Sequence, residues 1–196
     1  FLFNTLANVR RLYAEDPARG RVMLETLLRY LELALPAMRE RASTLARDAE
    51  LIEAYLGIQA VRMGPRLRFT IDIPPHLRGH RIPPMMLLTL VENSIKHGLS
   101  RKPEGGSVRV SAAAEQGRLI LTVTDTGVGF TSGAGAGTGL ANLSTRLAAE
   151  FGDEAGLSLA NDEAGGATAT LFLPLAAGDS EVAASAARMA IDGQSR

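Results

Sequence analysis

The chain has 196 residues, 46% of them hydrophobic and 21% charged, which is ordinary globular composition and enough for one medium-sized domain with a smaller attachment. Basic and acidic residues number 21 each, so the net charge is zero and a nucleic-acid-binding surface is not expected. The chain has no cysteine, which excludes disulfides and thiolate zinc sites and fits a cytoplasmic location, and it has neither a signal-peptide pattern nor an apolar run of the about 18–20 residues that a membrane span needs.

Three helices are predicted in the first third of the chain. Apolar residues recur at helical spacing in "FLFNTLANVRRLY", and Asp16-Pro17 has the form of a cap and a first-turn proline that open a second helix, "VMLETLLRYLELAL". Pro36 is expected to end or bend this helix, and Ser43 to cap a third, "LARDAELIEAYLGIQAVRM", which Gly64-Pro65 ends. Helices with apolar residues on both sides form bundles, and the pattern over residues 1–62 fits either packing within one chain or a dimer interface.

From residue 63 to about 176 the pattern is that of an α+β domain. "RLRFTIDIP" alternates like a strand, and "MMLLTLVENSIKHGL" predicts a helix with Pro84 in its first turn that runs to about Gly98. Strands "SVRVSAAAE" and "RLILTVTD" meet near Gln116-Gly117, and a helix "LANLSTRLAAEF" precedes the strands "LSLANDE" and "GATATLFLPL". This order favours a mixed, mostly antiparallel sheet with helices on one face, followed by a loosely ordered tail over 177–196.

The segment from Gly127 to Gly139 contains six glycines in thirteen residues. Because each interior glycine costs about 0.5–1 kcal/mol relative to alanine, the segment is neither a stable helix nor a stable strand. It could serve as a flexible linker, a phosphate-wrapping loop or a lid, and its place between an apolar strand and an apolar helix argues against the linker. At Gly139-Leu140 a helix begins whose free N–H groups suit a phosphate.

Polar residues around this segment allow two interpretations each. Asp125 ends an apolar strand, where an aspartate is either a turn-former or a partly buried acceptor for an amino group such as that of adenine. Asn93, Lys96 and His97 share one face of the predicted helix, with Glu92 and Lys96 at its border, which fits a solvated face with an ion pair. Asparagine is a poor mid-helix residue, however, and its amide oxygen is a suitable ligand for Mg²⁺.

Taken together, four motifs resemble the nucleotide-binding domain of the GHKL superfamily (gyrase, Hsp90, histidine kinases, MutL), a two-layer α/β sandwich. "LVENSIKHG" matches its N box, "DTGVGF" and "GAGTGLANL" its two glycine boxes, and "GGATATLFLP" its last strand. The opening "FLFNTL", the run "LIEAYLGIQAVRMGPRL" and a lid of only residues 131–134 are similar to the LytS-type sensor histidine kinases. Their catalytic part is a short helical His-kinase segment followed by a GHKL domain, and the resemblance covers about residues 1–175.

The resemblance implies ATP and Mg²⁺ as cofactors and gives each site residue a role. Asn93 would hold the Mg²⁺ that bridges the phosphates, Asp125 would accept from the adenine amine, and Glu92 would polarise the attacking imidazole or, in the ATPase branches, orient water. The remaining nucleotide contacts would be Lys96, His97 and Leu140 on the phosphate side, Gly127 and Gly129 around the base, Gly135, Gly137 and Gly139 in the lid hinge, and Thr168 at the pocket floor.

The resemblance also implies a two-component kinase that phosphorylates a histidine and then a response regulator, for which a LytTR-type protein is a candidate. It implies a homodimer through residues 1–62 and leaves open an inner-membrane anchor in segments absent from this chain. In this family the acceptor histidine immediately precedes "FLFN"; this chain begins at Phe1, and His76, His80 and His97 lie elsewhere, so the fragment is expected to bind ATP without phosphorylating itself at the usual place. The alternatives are a GHKL ATPase or anti-sigma-type kinase, and a nucleotide-binding dimeric scaffold.

Overall fold

A computed structural model describes residues 1–130, 138–162 and 165–175, so the predicted lid (131–134) and tail (177–196) lie outside the described residues. The chain opens with α1 (Leu2–Glu15), α2 (Pro17–Ala37) and α3 (Leu45–Met63), as predicted. The carboxylate of Asp16 accepts from the N–H of Arg19 at 3.2 Å, which confirms the predicted start of α2. No helix in the described part of the chain is both long and apolar enough to cross a membrane.

The cap of α3 differs from the prediction by one residue. The hydroxyl of Thr44, not that of Ser43, accepts from the N–H of Arg47 at 3.3 Å. Both residues form the two-residue strand β1 (Ser43–Thr44), which pairs antiparallel with β3 (Arg81–Ile82). Thr44 rather than Ser43 caps the helix because it directly precedes Leu45, the first helical residue.

The main sheet has five strands in the order β2-β4-β5-β7-β6. Its β2/β4 pair is parallel and the other three pairs are antiparallel, which confirms the mixed, mostly antiparallel sheet. Gln116 and Gly117 form the predicted two-residue turn between β4 and β5 with φ values of 50° and 75°. The strands are β2 (Leu67–Asp72), β4 (Gly106–Glu115), β5 (Arg118–Asp125), β6 (Gly156–Asn161) and β7 (Ala167–Pro174), and the remaining helices are α4 (Met86–Asn93) and α5 (Thr138–Phe151).

Side chains alternate strictly across the sheet. One face buries apolar residues beneath the helices, whereas the opposite face carries half-buried threonines. The buried residues of β5 and β7 include Leu119, Leu121, Val123, Ala169, Leu171 and Leu173, and the threonines are Thr122, Thr124, Thr168 and Thr170. Helices therefore cover one face of the sheet, which is the predicted two-layer α/β arrangement, and a single apolar core joins α1–α3 to the sheet.

The start of α4 is not the one predicted. Pro84 lies before the helix rather than in its first turn, and Met85 takes the cap position with a φ of 65°, a left-handed conformation that methionine rarely adopts. The backbone N–H groups there are satisfied by a distant side chain. Asp48 of α3, only 1% exposed, accepts from Met85 N at 3.0 Å and from Leu87 N at 3.3 Å.

Burial raises the pKa of Asp48 to about 6, although the N–H groups of Met85 and Leu87 and the charge of Arg146 act in the opposite direction. Since the folded-state pKa lies above the unfolded value of 3.8, the protonated native state is favoured, and this contribution to stability is lost as pH rises from about 4 to 6. The stability of the wild type relative to Asp48→Asn should therefore fall by on the order of 2–3 kcal/mol between pH 4 and 7. Urea denaturation across this range checks the slope, and parallel pH profiles for the two proteins would contradict it.

Candidate nucleotide-binding site

The polar side of α4 and the start of α5 enclose a cleft of about 360 Å³. Six of the predicted site residues line it together. They are Glu92, Asn93, Lys96, His97, Gly139 and Leu140, and Thr89 and Thr138 complete the lining. The arrangement places a carboxylate, an amide, an ammonium group and an imidazole around one space.

Local geometry explains why these side chains meet. Thr89, Glu92 and Asn93 are spaced i, i+3 and i+4 on α4, so they share a face, while Leu88 and Val91 are buried on its other side. The α-helix ends at Asn93, earlier than predicted, and residues Ser94–Gly98 form a π-helical turn. Such turns are frequent at functional sites, and this one keeps Lys96 and His97 on the cleft.

Three titratable side chains face the cleft. Burial raises the pKa of Glu92, and the positive charge of Lys96 acts in the opposite direction. Burial, followed by the positive charges of Lys96 and Arg101, lowers the pKa of His97. Lys96 itself is exposed, so the cleft presents a solvated ammonium group beside an imidazole that tends to be neutral.

Asp125 lies at the end of β5 and is only 3% exposed. One carboxylate oxygen accepts from the N–H of Gly127 at 2.8 Å, and the Ser94 hydroxyl and the N–H of Ala167 also hydrogen-bond to the group. Burial raises its pKa, against these hydrogen bonds. Asp125 therefore forms the local turn of the first interpretation, and its burial is compatible with the second, in which it accepts from a ligand amino group.

The carboxylate of Asp125 is not part of the cleft lining, but Ser94 connects the two sites. Ser94 follows Asn93 directly in the chain and hydrogen-bonds to Asp125. The carboxylate of Asp125 therefore contacts the same π-helical turn that follows Asn93.

Gly98 is a site residue that the sequence interpretation missed. A Cβ added at Gly98 would lie 2.7 Å from an oxygen of Asp125, and one added at Gly127 would lie 2.5 Å from the Cα of Gly98. The two glycines therefore let the π-helical turn and the loop after β5 close on the carboxylate. The signal in the sequence is the last residue of "LVENSIKHG", which the helical pattern marks only as a helix end.

Asn161 is the second residue that was missed. Its Oδ1 accepts from the N–H of Phe130 at 2.6 Å, and its Nδ2 donates to the carbonyl of Phe130 at 3.0 Å. Gly129 has a φ of 74°, and a Cβ added there would lie 2.9 Å from Asn161 Oδ1. Asn161 thereby fixes the backbone near the start of the glycine-rich segment, and nothing near it in the sequence marks this role.

Thr168 is a correction to the predicted site. It lies on the polar face of the sheet, where its hydroxyl shares a hydrogen bond of 3.1 Å with that of Thr124, whereas Asp125 and its register partner Ala167 lie on the helix-covered face. Because side chains alternate along a strand, a shift of one residue moves a side chain to the other face. Thr168 therefore does not form the pocket floor.

The glycines predicted for the lid hinge are only partly described. Gly135 and Gly137 lie outside the described residues. Gly139 lines the cleft, but a Cβ added there would lie 3.7 Å from Thr89, an ordinary contact, so packing in this structure does not require glycine at that position.

Comparison with known proteins adds two family matches. Residues 1–67 match the histidine kinase family, and residues 83–177 match the histidine kinase-, DNA gyrase B- and HSP90-like ATPases. Among curated relatives, the sensor protein LytS of Enterococcus faecalis is 30% identical over 188 residues, and the sensor histidine kinase BtsS of Escherichia coli K12 is 33% identical over 177 residues. Each alignment covers 89% of this chain but only 32% and 31% of the relative, so the chain spans about a third of their length.

Solved structures show the same fold. The histidine kinase domain of the blue-light activated kinase EL346 from Erythrobacter litoralis superposes with a TM-score of 0.56 at 16% identity, covering 90% of this chain and 87% of that one. The catalytic domain of the histidine kinase ThkA gives 0.52 at 13% identity over 68% and 94% of the two chains. With its N-terminal helices matching one family and its sheet domain the other, the chain belongs to the histidine kinases and is similar to the sensor protein LytS.

Proposed function

We propose that this chain is the catalytic region of a two-component kinase that binds ATP with Mg²⁺ and transfers the γ-phosphate to a histidine, from which it passes to an aspartate of a response regulator. The observation that carries the proposal is the position of the start of α1. The Phe1 ring packs at 5.3 Å from those of both Tyr30 and Tyr55, and the charge of Glu92 acts on both of these tyrosines. The start of α1 therefore lies near Glu92.

The residues present fit ATP and Mg²⁺ by their chemistry. The amide oxygen of Asn93 is the kind of hard ligand that Mg²⁺ prefers, and Lys96 and His97 offer donors to phosphate oxygens in the same cleft. We propose that Asp125 accepts a hydrogen bond from the adenine amine, because it is a buried acceptor that contacts the π-helical turn beside the cleft. Bound Mg²⁺ would supply charge neutralisation for the phosphates.

Phosphoryl transfer requires mainly positioning and neutralisation of charge. In the proposed mechanism, Glu92 orients the attacking imidazole by accepting a hydrogen bond from its N–H group. Its half-buried position, which raises the pKa of the carboxyl, makes the carboxylate a stronger acceptor. Buried Leu140 closes the cleft on the side of α5 and limits the access of water.

A homodimer through the helices of residues 1–62 is the proposed assembly. A second apolar stripe on α2 supports it, with residues spaced four and three apart as in a coiled coil. Three of its members are strongly exposed: Leu28 by 51%, Leu35 by 56% and Met38 by 70%. The others are Leu24 and Leu31, which are half-buried.

The remaining proposals concern the whole protein. We propose residues 63–176 as the nucleotide-binding domain, a cytoplasmic location for this region, and a response regulator of the LytTR type as partner. An anchor in the inner membrane would belong to segments absent from this chain.

A labelling experiment tests the kinase activity. A chain carrying a histidine immediately before Phe1 should take up labelled phosphate from ATP in an acid-labile form, and the present chain should not. Glu92→Gln in the extended chain should reduce the labelling rate by about 100-fold while nucleotide binding persists, because only the group that orients the acceptor is lost. Equal labelling of both extended chains would contradict the role of Glu92.

The same experiment separates the alternatives. Release of inorganic phosphate without a labelled protein would favour a GHKL ATPase. Binding of ATP with neither product, in a protein that carries its natural residue before Phe1, would favour a signalling scaffold.

A further inference from the structure

We propose that Asp48 is a positioning residue for the nucleotide cleft: from α3, it fixes the start of α4 so that Glu92 and Asn93 keep their place opposite α5. The inference rests on the proposed function, since it takes the cleft between α4 and α5 as the nucleotide site. Asp48 itself is not among the residues that line the cleft.

The start of α4 depends on Asp48 because the helix has no cap of its own. The first N–H groups of a helix lack partners within the helix, and the cap residue Met85 supplies no side-chain hydrogen bond. Asp48 accepts instead from the N–H groups of Met85 and Leu87, which are 37 and 39 residues away in the sequence. The left-handed backbone of Met85 costs free energy and persists only where the surroundings enforce it.

Arg146 of α5 holds the same segment from the other side. Its guanidinium donates to the carbonyl of Pro84 at 2.9 Å, and its charge acts on Asp48. The beginning of α5, at Gly139 and Leu140, lines the cleft. The residues just before α4 are therefore fixed to α3 by a carboxylate and to α5 by a guanidinium, and α5 forms the opposite wall of the cleft.

The start of α4 is linked to the cleft because two of the cleft residues lie on the same helix. Glu92 and Asn93 follow Met85 by about two helical turns. If the start of α4 is released, a smaller fraction of molecules has both side chains in place, and the apparent dissociation constant rises as the inverse of that fraction. Loss of Asp48 should thus weaken nucleotide binding in molecules that remain folded.

The test compares two variants of the 196-residue chain. Calorimetric titration with ADP and Mg²⁺, well below the unfolding midpoint of every protein, should give Asp48→Asn a dissociation constant about tenfold higher than wild type, as expected if one molecule in ten is competent. Val110→Ala, in a buried position of β4 with no part in the cap of α4, is the control for lost stability and should bind like the wild type. Amide exchange at Leu87 should accelerate in Asp48→Asn and not in Val110→Ala.

A second variant covers the case in which Asp48→Asn does not fold. Arg146 is 41% exposed, so Arg146→Met should fold, and it should raise the dissociation constant by about threefold through loss of one hydrogen bond. Wild-type affinity in folded Asp48→Asn, or an equal loss in Val110→Ala, would overturn the role of Asp48 while leaving the nucleotide site intact. Absence of binding to the wild type would overturn the proposed function itself, and with it this inference.

Discussion

Asp125→Ala should lower the affinity for ADP and ATP by about 100-fold or more while the protein stays folded. The side chain is buried at the end of β5 and packed closely by Gly98 and Gly127. In the proposed binding mode, its removal leaves the adenine amine without a partner. Sites built to hydrogen-bond a ligand group discriminate strongly when that pairing is lost. Calorimetric titration together with circular dichroism measures both parts of the result.

Two further variants make this prediction specific. Asp125→Asn keeps an oxygen for the N–H of Gly127 but places a second donor against the amine, so it should fold normally and still lose binding. Thr168→Ala removes a hydroxyl from the opposite face of the sheet and should bind like the wild type. Unchanged affinity in Asp125→Ala would remove adenine recognition from this residue.

Gly166→Ala should destabilise the fold by about 3 kcal/mol or more, because overpacking next to fixed backbone forces the chain apart. A Cβ at Gly166 would lie 2.1 Å from the backbone carbonyl oxygen of Asp125, and the φ of 108° is itself unfavourable for alanine. Urea denaturation gives the free energy of unfolding for comparison with the wild type.

A substitution at the neighbouring glycine, Gly165, separates the effect of the steric clash from that of the positive φ. Gly165 has a φ of 87°, but a Cβ there would meet nothing within 4 Å, so Gly165→Ala carries only the conformational cost of about 1 kcal/mol. Similar losses in the two variants would mean that the close approach to Asp125 contributes little.

Elements with a complete local signal could be predicted from the sequence. The alternation of β5 and β7, the Asp16-Pro17 start of α2 and the Gln116-Gly117 turn each depend on neighbouring residues only. One error arose where a distant contact decides. Helix α4 begins after Pro84 because Asp48, far away in the chain, satisfies its first N–H groups. The error in the cap of α3 is local, since the cap is the residue directly before Leu45, which is Thr44 and not Ser43.

The same distinction applies to the site. Glu92, Asn93, Lys96 and His97 come from one short segment, so their spacing was enough to place them together. Two contacts could not be predicted because they join segments about 30 residues apart, and no local sequence pattern indicates them. They are the packing of Gly98 on Asp125 and the hydrogen bond from Phe130 to Asn161. The prediction for Thr168 was wrong because a shift of one residue along a strand moves a side chain to the opposite face of the sheet.

The apolar core that joins the helical segment to the sheet has a practical consequence for dissecting this protein. Helix α3 packs on both α4 and β2. Dividing the chain near residue 63 would therefore expose an apolar surface on each of the two fragments. A sheet domain produced without α3 would be prone to aggregate and would also lack the carboxylate of Asp48 that caps α4. The smallest unit that behaves like the intact region should therefore begin at or before Thr44.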